Sequence, residues 1–591
     1  MRRGIAALTV VLTGVLTAAL MVPASAAFWV DQEWVTTPVG AVDCGQTGMV
    51  DATAWGRMLT GQVGTQSLDP VAAIDGITVS NLDPATTSTA SSAATVTNLG
   101  NDAWTSSLDL AALGVVDLGA GVTLPLGTST GVYTQYGRAT SAGLSVGASG
   151  AITSNGSGVA SLDSPSSATP RTATIQLSTL LDATALSTAG VSAAQLADAQ
   201  LRIGTVGALA SYDSCEPLWD VSAPGSSLTR EYLVNDLALD LTSSRVTDIA
   251  TAISTSIGGL ETTIDALDYS TTTIPGALTT ALNSAINLPA VSLGTVDSLA
   301  VAIDVDLAPV QALVTGTLSD GAVSINLGTG AVSVDLEALF GAAHASSTGL
   351  NGQAPNTSVL TAPMITEIST RALSLVNTFV TTTIANAITT AINNATVTVT
   401  IGARLNVIVS VLGVPTGVPN ALVLNTTLSG TVGGFTGVSG HSAPTASTTV
   451  TVAAGLGGLL TPLVNALLSS TLTSIVSAVL TNAAAIGTTV VTPLKTLATT
   501  AATTTITTLT TTTIPPLVAS LAGVFTALNT LVDLVVNGRP DVSGSVGAPV
   551  TSPEVGQYFE SALFLGVANG SATSVASLYF ANASVGPNAL R

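Results

Sequence analysis

The sequence of 591 residues is poor in the side chains that most catalysis and most ion binding use. It contains two histidines, two cysteines and a single lysine, Lys495, and only 8% of its residues are charged and 3% aromatic. A disordered acidic tail would combine dense charge with low hydrophobicity, whereas 47% of this chain is hydrophobic. Its small and β-branched residues suit packed sheets and helices. We therefore expect a folded, architectural protein.

Basic side chains are scarce as well. The formal net charge is -21, with 13 lysines and arginines against 34 acids. A nucleic-acid-binding protein would carry a basic stripe, and an acidic surface is repelled by anionic lipids. We expect no nucleic-acid partner and no electrostatic adhesion to the cell envelope.

The chain offers few candidates for catalysis. It has no Gly-x-Gly-x-x-Gly fingerprint and no phosphate-binding loop. Its histidines, His344 and His441, lie in polar, loop-like segments, and we interpret them as exposed loop residues rather than general bases. We predict that the protein is not an enzyme and that it has no catalytic residues and no cofactor.

Paired carboxylates are the remaining chemical signal, because a glycosidase needs only two of them. Asp304 and Asp306 alternate along one predicted strand, and so do Asp335 and Glu337. Oxygen ligands of this kind also suit Ca²⁺, but no Asp-x-Asp-x-Asp-Gly loop is present. We interpret both pairs as solvated strand faces and assign no metal.

The first 26 residues have the pattern of a secretory signal peptide. Arg2 and Arg3 are followed by the apolar segment Ile5 to Leu20 and by the small-residue cleavage site Ala24-Ser25-Ala26. The alternative is an uncleaved membrane anchor, for which the apolar segment is short. We predict an extracellular protein whose mature chain begins at Ala27.

The cysteine count agrees with export. Cys44 and Cys215 are the only two cysteines, and in an oxidising compartment one disulfide between them is the simplest arrangement. Two free buried thiols are the alternative.

Tryptophans and cysteines cluster near the N-terminus. Between these residues lie short alternating apolar runs and turn residues, which are typical of a β-rich, sandwich-like domain over 27–225. The predicted boundary lies at Ser222 to Ser227, where Pro224-Gly225 breaks the pattern. The five tryptophans are Trp29, Trp34, Trp55, Trp104 and Trp219.

Longer periodicities follow over 228–540. Residues 246–267 and 363–393 show helical spacing of Ile, Leu and Val, and Val397 to Val411 alternate as a long strand. Gly328-Thr329-Gly330 joins two further strands as a hairpin. With a C-terminal β segment at 541–591, the predicted fold class is α+β: a β-rich N-terminal domain, then a larger domain of long helices alternating with long antiparallel strands.

Two segments of this region have more than one interpretation. Leu517 to Val536 is apolar enough to suggest a membrane span, but Asp533 and several polar residues interrupt it, so a buried or self-associating helix is favoured. We predict no transmembrane span in the mature chain. The Thr-rich run Ala498 to Pro516 is either a glycosylated stalk or a buried helix, and we favour the helix.

Four segments carry a resemblance to a known family: Phe28-Trp29-Val30 to Asp43-Cys44, Glu231 to Ile253, Asn356 to Thr361, and Val575 to Asn588. With them the chain resembles the actinobacterial choice-of-anchor G family of secreted surface proteins. The resemblance implies a surface location and gives no site residues. Family members continue into C-terminal anchoring signals, whereas here no such signal follows Pro587-Asn588, so we expect no covalent attachment to a cell wall.

Our leading hypothesis is a secreted, cell-envelope-associated structural or adhesive protein without catalytic activity. The partner is an unidentified glycan or protein of the envelope or the exterior. The alternative is an extracellular carbohydrate-binding or carbohydrate-cleaving protein that uses the tryptophans and the paired carboxylates. A third hypothesis is self-association into a surface layer or a fibre.

Overall fold

A computed structural model describes most of the chain. The described residues are 46–64, 66–69, 75–92, 94–109, 132–154, 159–163, 172–177, 198–215, 227–271, 276–411, 413–454, 460–542, 554–567 and 576–591. The predicted signal peptide, Cys44, Trp29, Trp34 and Trp219 lie outside them. With 34% helix and 44% strand in antiparallel sheets, the structure confirms the predicted α+β class with a β-rich N-terminal part.

The strands range in length from 2 to 18 residues. Their bounds, in chain order, are β1 Val50–Val63, β2 Gln66–Ser67, β3 Ile77–Asn81, β4 Thr89–Ser91, β5 Val96–Gly100, β6 Ala103–Asp109, β7 Val132–Ala139, β8 Leu144–Gly150, β9 Ile152–Ser154, β10 Ala160–Leu162, β11 Ala173–Gln176, β12 Gln200–Asp213, β13 Leu228–Thr242, β14 Tyr269–Thr271, β15 Val291–Asp304, β16 Thr317–Ser319, β17 Val323–Asn326, β18 Ala331–Asp335, β19 Thr357–Ser358, β20 Thr396–Val411, β21 Val414–Thr431, β22 Thr445–Val452, β23 Val532–Gly538, β24 Tyr558–Val567, β25 Ala576–Val585 and β26 Ala589–Leu590.

The helices of the described residues lie between β13 and β23. Their bounds are α1 Ser244–Asp265, α2 Gly276–Ala285, α3 Ala308–Ala312, α4 Leu336–His344, α5 Ala362–Thr378, α6 Ala385–Asn394, α7 Val432–Phe435, α8 Leu460–Thr481, α9 Ala483–Thr508 and α10 Ile514–Leu531. A π turn, Phe379–Ile384, joins α5 to α6, and a second, Leu509–Thr513, joins α9 to α10.

Two sheets pack face to face as a sandwich. The first sheet has the order β19-β23-β24-β25-β1-β3-β4, and the second has the order β16-β17-β18-β13-β12-β8-β7-β6-β5. β1 and β25 of the first sheet lie against β7, β8 and β12 of the second. The sheets approach closely at Gly147, where a Cβ atom would lie 2.4 Å from the carbonyl oxygen of Trp55. Only glycine fits at that contact.

Strand pairing crosses both predicted boundaries. β12 pairs with β13 from Gln200↔Asp240 to Tyr212↔Leu228, so one sheet continues across residue 225. β25 pairs with β1, which places the 541–591 segment beside the N-terminal strand. The sheets therefore do not follow the predicted division into 27–225, 228–540 and 541–591. Composition changes along the chain, but long-range hydrogen bonding joins its ends.

The helices, the two-stranded pair β9–β10 and a third larger sheet form the remainder of the described fold. That sheet has the order β14-β15-β20-β21-β22. α5 packs against α10 and α6 against α9, while the two π turns contact each other, so the two long helical segments run antiparallel. Val246, Ile249, Ile253, Ile257, Leu260 and Ile264 of α1 are buried along one stripe, as the spacing predicts.

Most predicted elements are found with shifted ends. The helices predicted at 246–267 and 363–393 correspond to α1 and to α5–α6, and the strand predicted from Val397 to Val411 is β20. The predicted hairpin is β17–β18. Leu517 to Val536 divides into most of α10 and most of β23. The Thr-rich run is helical, but only one of its faces is buried.

Candidate functional site

The two histidines lie apart from any described carboxylate. His344 ends α4, is exposed, and stacks on Phe340 with ring centroids 4.1 Å apart. His441 lies with Nδ1 3.3 Å from Oγ1 of Thr431. Within the described ranges, neither histidine forms an ion pair with Asp or Glu. These contacts suit a packing role, and they give neither imidazole the acid partner that a general base commonly uses.

Two motifs with the spacing of a serine-hydrolase elbow occur in the sequence, Gly127-Thr128-Ser129-Thr130-Gly131 and Gly143-Leu144-Ser145-Val146-Gly147. The elbow requires a strand followed by a sharp turn and a helix, with a histidine placed beside the serine. The first motif lies outside the described ranges, so no geometry is assigned to it. Ser145 of the second motif is buried inside β8 and its Oγ donates to Asn588 Oδ1 at 2.9 Å, so this motif does not form an elbow.

Asp335 and Glu337 differ from the prediction of a shared strand face. β18 ends at Asp335, whose Oδ1 accepts a hydrogen bond from Ala338 N at 2.9 Å and so caps α4. Glu337 lies in the first turn of α4, and its Oε2 accepts a hydrogen bond from Asp236 N at 3.0 Å. Burial raises the pKa of the Glu337 carboxyl. Both carboxylates therefore accept hydrogen bonds from backbone N–H groups.

Asp304 and Asp306 do line one side of an open cavity of about 470 Å³. Val310 and Leu313 line it as well, and Asn394 of α6 contributes an amide. Asp306 Oδ1 also accepts a hydrogen bond from Ala308 N at 3.0 Å, at the start of α3. In the described part of the chain, no group of three or more His, Cys, Asp or Glu residues could hold a metal ion.

The described tryptophans are separate from each other. Trp55 on β1 packs edge-on against Phe559, with ring centroids 5.6 Å apart. Trp104 on β6 donates a hydrogen bond from Nε1 to Ser88 Oγ at 3.0 Å. The two rings belong to different sheets of the sandwich, so they do not form one sugar-stacking platform.

A buried ionic cluster, which the sequence analysis did not identify, connects β13, β24 and the end of β23. Glu560 is fully buried, and its Oε2 accepts a hydrogen bond from Arg539 Nε at 2.7 Å. Arg230 pairs with Asp541 at 2.6 Å and donates to the carbonyl oxygen of Phe559 at 3.2 Å. Burial raises the pKa of Glu560 to about 7, although Arg539 and Arg230 lower it in part. This cluster holds the sandwich together at its C-terminal strands.

A second feature that sequence reasoning did not identify is the uneven distribution of acidic residues along the chain. Between Glu367 and Asp533 the chain has no Asp or Glu at all, and its only bases there are Arg371, Arg404 and Lys495. The segment 368–532 therefore carries +3, and the rest of the chain carries -21 - 3 = -24. This segment contains α6 to α10 and the strands β20 to β22. An average over the whole chain hides this partition.

Two of the three bases are neutralised where they lie. Arg371 donates to Asp320 and to Glu367, each at 2.8 Å, and Arg404 donates to Asp297 at 2.8 Å. Lys495 Nζ lies 3.3 Å from Thr436 Oγ1, and no described carboxylate is within ion-pair distance of it. The acid-free segment thus presents one unpaired cation among neutral side chains.

We define the threonine face as the exposed side of α9 around Lys495. It lines a shallow groove of about 550 Å³. The opposite side of α9 is buried through Val491, Leu494, Ala498 and Ala502. The threonines of the face are Thr492, Thr496, Thr499, Thr500, Thr503, Thr504, Thr507 and Thr508.

Most hydroxyl groups of the threonine face are already hydrogen-bonded. Thr500 Oγ1 donates to the carbonyl oxygen of Thr496 at 2.8 Å, and Thr504 Oγ1 donates to that of Thr500 at 2.9 Å. Thr496, Thr499, Thr503 and Thr507 donate in the same way to the residue four positions before. A hydroxyl turned back to the helix leaves the methyl group of the same side chain facing solvent. The face is therefore more apolar than its composition indicates.

Among the residues that the structure describes, two helical segments are long and apolar enough to cross a membrane when judged by length and composition alone. They are Ala362–Asn394 and Thr488–Leu531, and the second of them contains the whole threonine face. One third to one half of the most apolar stretch of each is buried against the rest of the protein. A core helix passes the same test, so this finding is weak evidence for a membrane span.

Comparison with known proteins identifies one family. The model of a family described as a domain of unknown function (DUF8394) matches residues 54–586. The match begins in β1 and ends just after β25, so it includes both sheets of the sandwich and all the helices. No curated protein and no solved structure gives a significant match.

Proposed function

The chain belongs to the family described as a domain of unknown function (DUF8394), and we propose that this member is a secreted structural or adhesive protein of the cell envelope without catalytic activity. The predicted signal peptide supports export. The resemblance to the choice-of-anchor G family, which stays a prediction, supports a surface location.

The way the chain uses its charged groups supports the absence of catalysis. Arg57, Arg202, Arg230, Arg245, Arg371, Arg404, Arg539 and Arg591 each pair with a described carboxylate. Other carboxylates accept hydrogen bonds from backbone N–H groups, as Asp265 does from Val305 and Asp268 from Ile303. A catalytic group needs a free position beside a substrate. Here most charged groups are engaged in holding the fold.

The threonine face is the observation that carries the proposal. It is a long, exposed and nearly uncharged surface on a protein of net charge -21. Surfaces of this kind on soluble proteins commonly mark contact sites. A protein with few reactive side chains and a large contact surface fits a structural or adhesive role.

Cell fractionation tests the location. We expect the mature chain in the envelope or the medium, beginning at Ala27 by mass spectrometry and degraded by protease added to intact cells. The control is Ala26→Trp, which places a large residue at the predicted cleavage site and should leave the precursor uncleaved. Recovery of an intact chain from residue 1 in the cytoplasm would contradict the proposal.

The cavity at Asp304 and Asp306 favours a second candidate, carbohydrate binding. Carboxylate, amide and apolar groups together form the usual lining of a small-ligand site. Glycan arrays and hydrolysis assays with the full mature chain test it, with Asp304→Asn and Asp306→Asn as site variants and Asp297→Asn as an acidic control outside the cavity. Binding that both site variants lose and the control keeps would support this candidate, and no binding by the unmodified chain would remove it.

A further inference from the structure

We propose that two copies of this chain associate through the threonine face, each face packing against the same face of the other copy. This inference depends on the proposed function, because it names the partner that the contact surface takes. The face is exposed along α9, and among the described residues no element covers it.

The charge partition favours a second copy as the occupant. Two molecules of net charge -21 repel each other wherever their acids approach. The segment 368–532 is the long part of the chain that carries no acid, and the threonine face lies within it. The residues that line its groove include no acid, so two copies that meet through this groove do not bring acidic groove residues together.

The chemistry of the face argues against a polysaccharide or a lipid bilayer. Sugar recognition uses free hydrogen-bond donors, but the hydroxyl hydrogens of Thr500, Thr503 and Thr504 are already donated to the backbone of their own helix, which leaves these hydroxyls as acceptors only. Insertion into a bilayer needs large apolar side chains, and of the exposed large apolar residues only Leu497 lies on α9. A surface of methyl groups is best matched by another such surface.

The geometry of α9 suits helix-to-helix packing. Threonines four residues apart follow each other at about 6 Å along the axis, and small β-branched side chains allow close approach of two helices. A two-fold crossing between Thr500 and Thr504 places the two Lys495 ammonium groups about 20 Å apart along the helices. The single cation of each face then lies at the edge of the contact rather than opposite its copy.

Analytical ultracentrifugation of the full mature chain over a concentration series tests the inference. We expect a dimer whose dissociation constant falls as salt is raised, because salt screens the repulsion between acidic copies. Thr504→Arg adds a charge at the centre of the contact and should weaken association at least tenfold. Thr251→Arg is the matched control, because Thr251 is exposed and its hydroxyl also donates four residues back, to Thr247 O at 2.8 Å, but on acid-containing α1.

A conservative variant separates loss of contact from loss of folding. Thr504→Val keeps the shape of the side chain and replaces the hydroxyl with a methyl group, so it should dimerise at least as tightly as the unmodified chain. A monomer at every concentration and salt, or equal dimerisation of Thr504→Arg and the unmodified chain, would overturn the inference. A dimer found in the cytoplasm would instead contradict the proposed function, so the two failures are distinguishable.

Discussion

At the scale of single residues, many of the described ionisable groups form ion pairs or hydrogen bonds that hold the fold. Glu560 is the clearest case, because it is fully buried beside Arg539 and its second oxygen, Oε1, has no hydrogen-bond partner among the described residues. A half-satisfied buried carboxylate holds its proton more tightly than an exposed one. Sequence alone could not indicate this, since Glu560 stands in an apolar strand and its partners lie on other elements.

Glu560 should make stability depend on pH. Burial raises its pKa from 4.5 to about 7. Because the folded chain binds this proton more tightly than the unfolded chain, its contribution to the free energy of unfolding is full below pH 4.5 and is lost as the pH rises through 7. The loss is on the order of 3 kcal/mol. Denaturant titrations from pH 4.5 to 8 should show this fall in the unmodified chain and not in Glu560→Gln.

The control for Glu560 is Glu554→Gln, which replaces an exposed acid nearby in sequence. It should keep the pH dependence of the unmodified chain. Equal slopes for Glu560→Gln and the unmodified chain would show that Glu560 does not hold the raised pKa.

Gly147 should be among the least replaceable residues. In Gly147→Ala the new Cβ atom would lie 2.4 Å from Trp55 O and 2.5 Å from Ser584 O, which are backbone atoms that cannot turn away. Thermal and denaturant unfolding should show that the free energy of unfolding falls by about 3 kcal/mol or more. Gly259→Ala, on an open side of α1 with no atom near its Cβ position, should instead raise stability by up to about 1 kcal/mol. Equal effects would contradict the close contact of the two sheets.

At the scale of elements, local periodicity predicted the long helices and strands well. The stripe of α1 and the alternation of β20 are visible in the sequence because burial on one side repeats with the period of the backbone. The π turns were not predicted, since Phe379–Ile384 and Leu509–Thr513 continue the helical pattern of their neighbours. Their signal is a shift in the buried stripe, which only packing makes visible.

The π turn at Leu509–Thr513 should tolerate the loss of one residue. A π turn holds one residue more than an α turn, so deletion of Thr512 lets it become regular helix while α9 and α10 keep their buried faces. Deletion of Ala519 inside α10 instead rotates the following residues by about 100° and turns Leu521 or its neighbours out of the core. We expect the free energy of unfolding to fall by about 2 kcal/mol in the first case. In the second case it should fall by more than about 5 kcal/mol, or the protein should fail to fold. Circular dichroism melts would decide, and equal losses would contradict this interpretation.

At the scale of the whole molecule, the sequence predicted the fold class but not the way its ends meet. β1 pairs with β25 across more than 500 residues, and no local pattern carries that information. The threonine face was partly predicted, as a helix in a Thr-rich run. That these threonines are exposed became clear only once the structure showed which side of α9 packs against the core. The absence of acids in 368–532 could have been counted directly from the sequence.

The predicted disulfide would strengthen this closed arrangement. Cys44 lies outside the described residues, so its pairing with Cys215 stays a prediction. Peptide mapping without reductant should recover the two cysteines in one cross-linked pair, and Cys215→Ser should lower the free energy of unfolding by about 5 kcal/mol in the chain-entropy model. Alkylation of both thiols without reductant would show that they are free.

One measurement tests the central claim, that an exported protein uses an acid-free threonine face for contact. Thr504→Cys and Thr251→Cys are treated on intact cells with a maleimide that does not cross membranes, and the unmodified chain gives the background from Cys44 and Cys215. The account predicts labelling at 251, protection at 504, and labelling of both after the protein is extracted and diluted to monomer. Labelling of neither position on intact cells would place the chain inside the cell, and equal labelling of both would leave the threonine face without a partner.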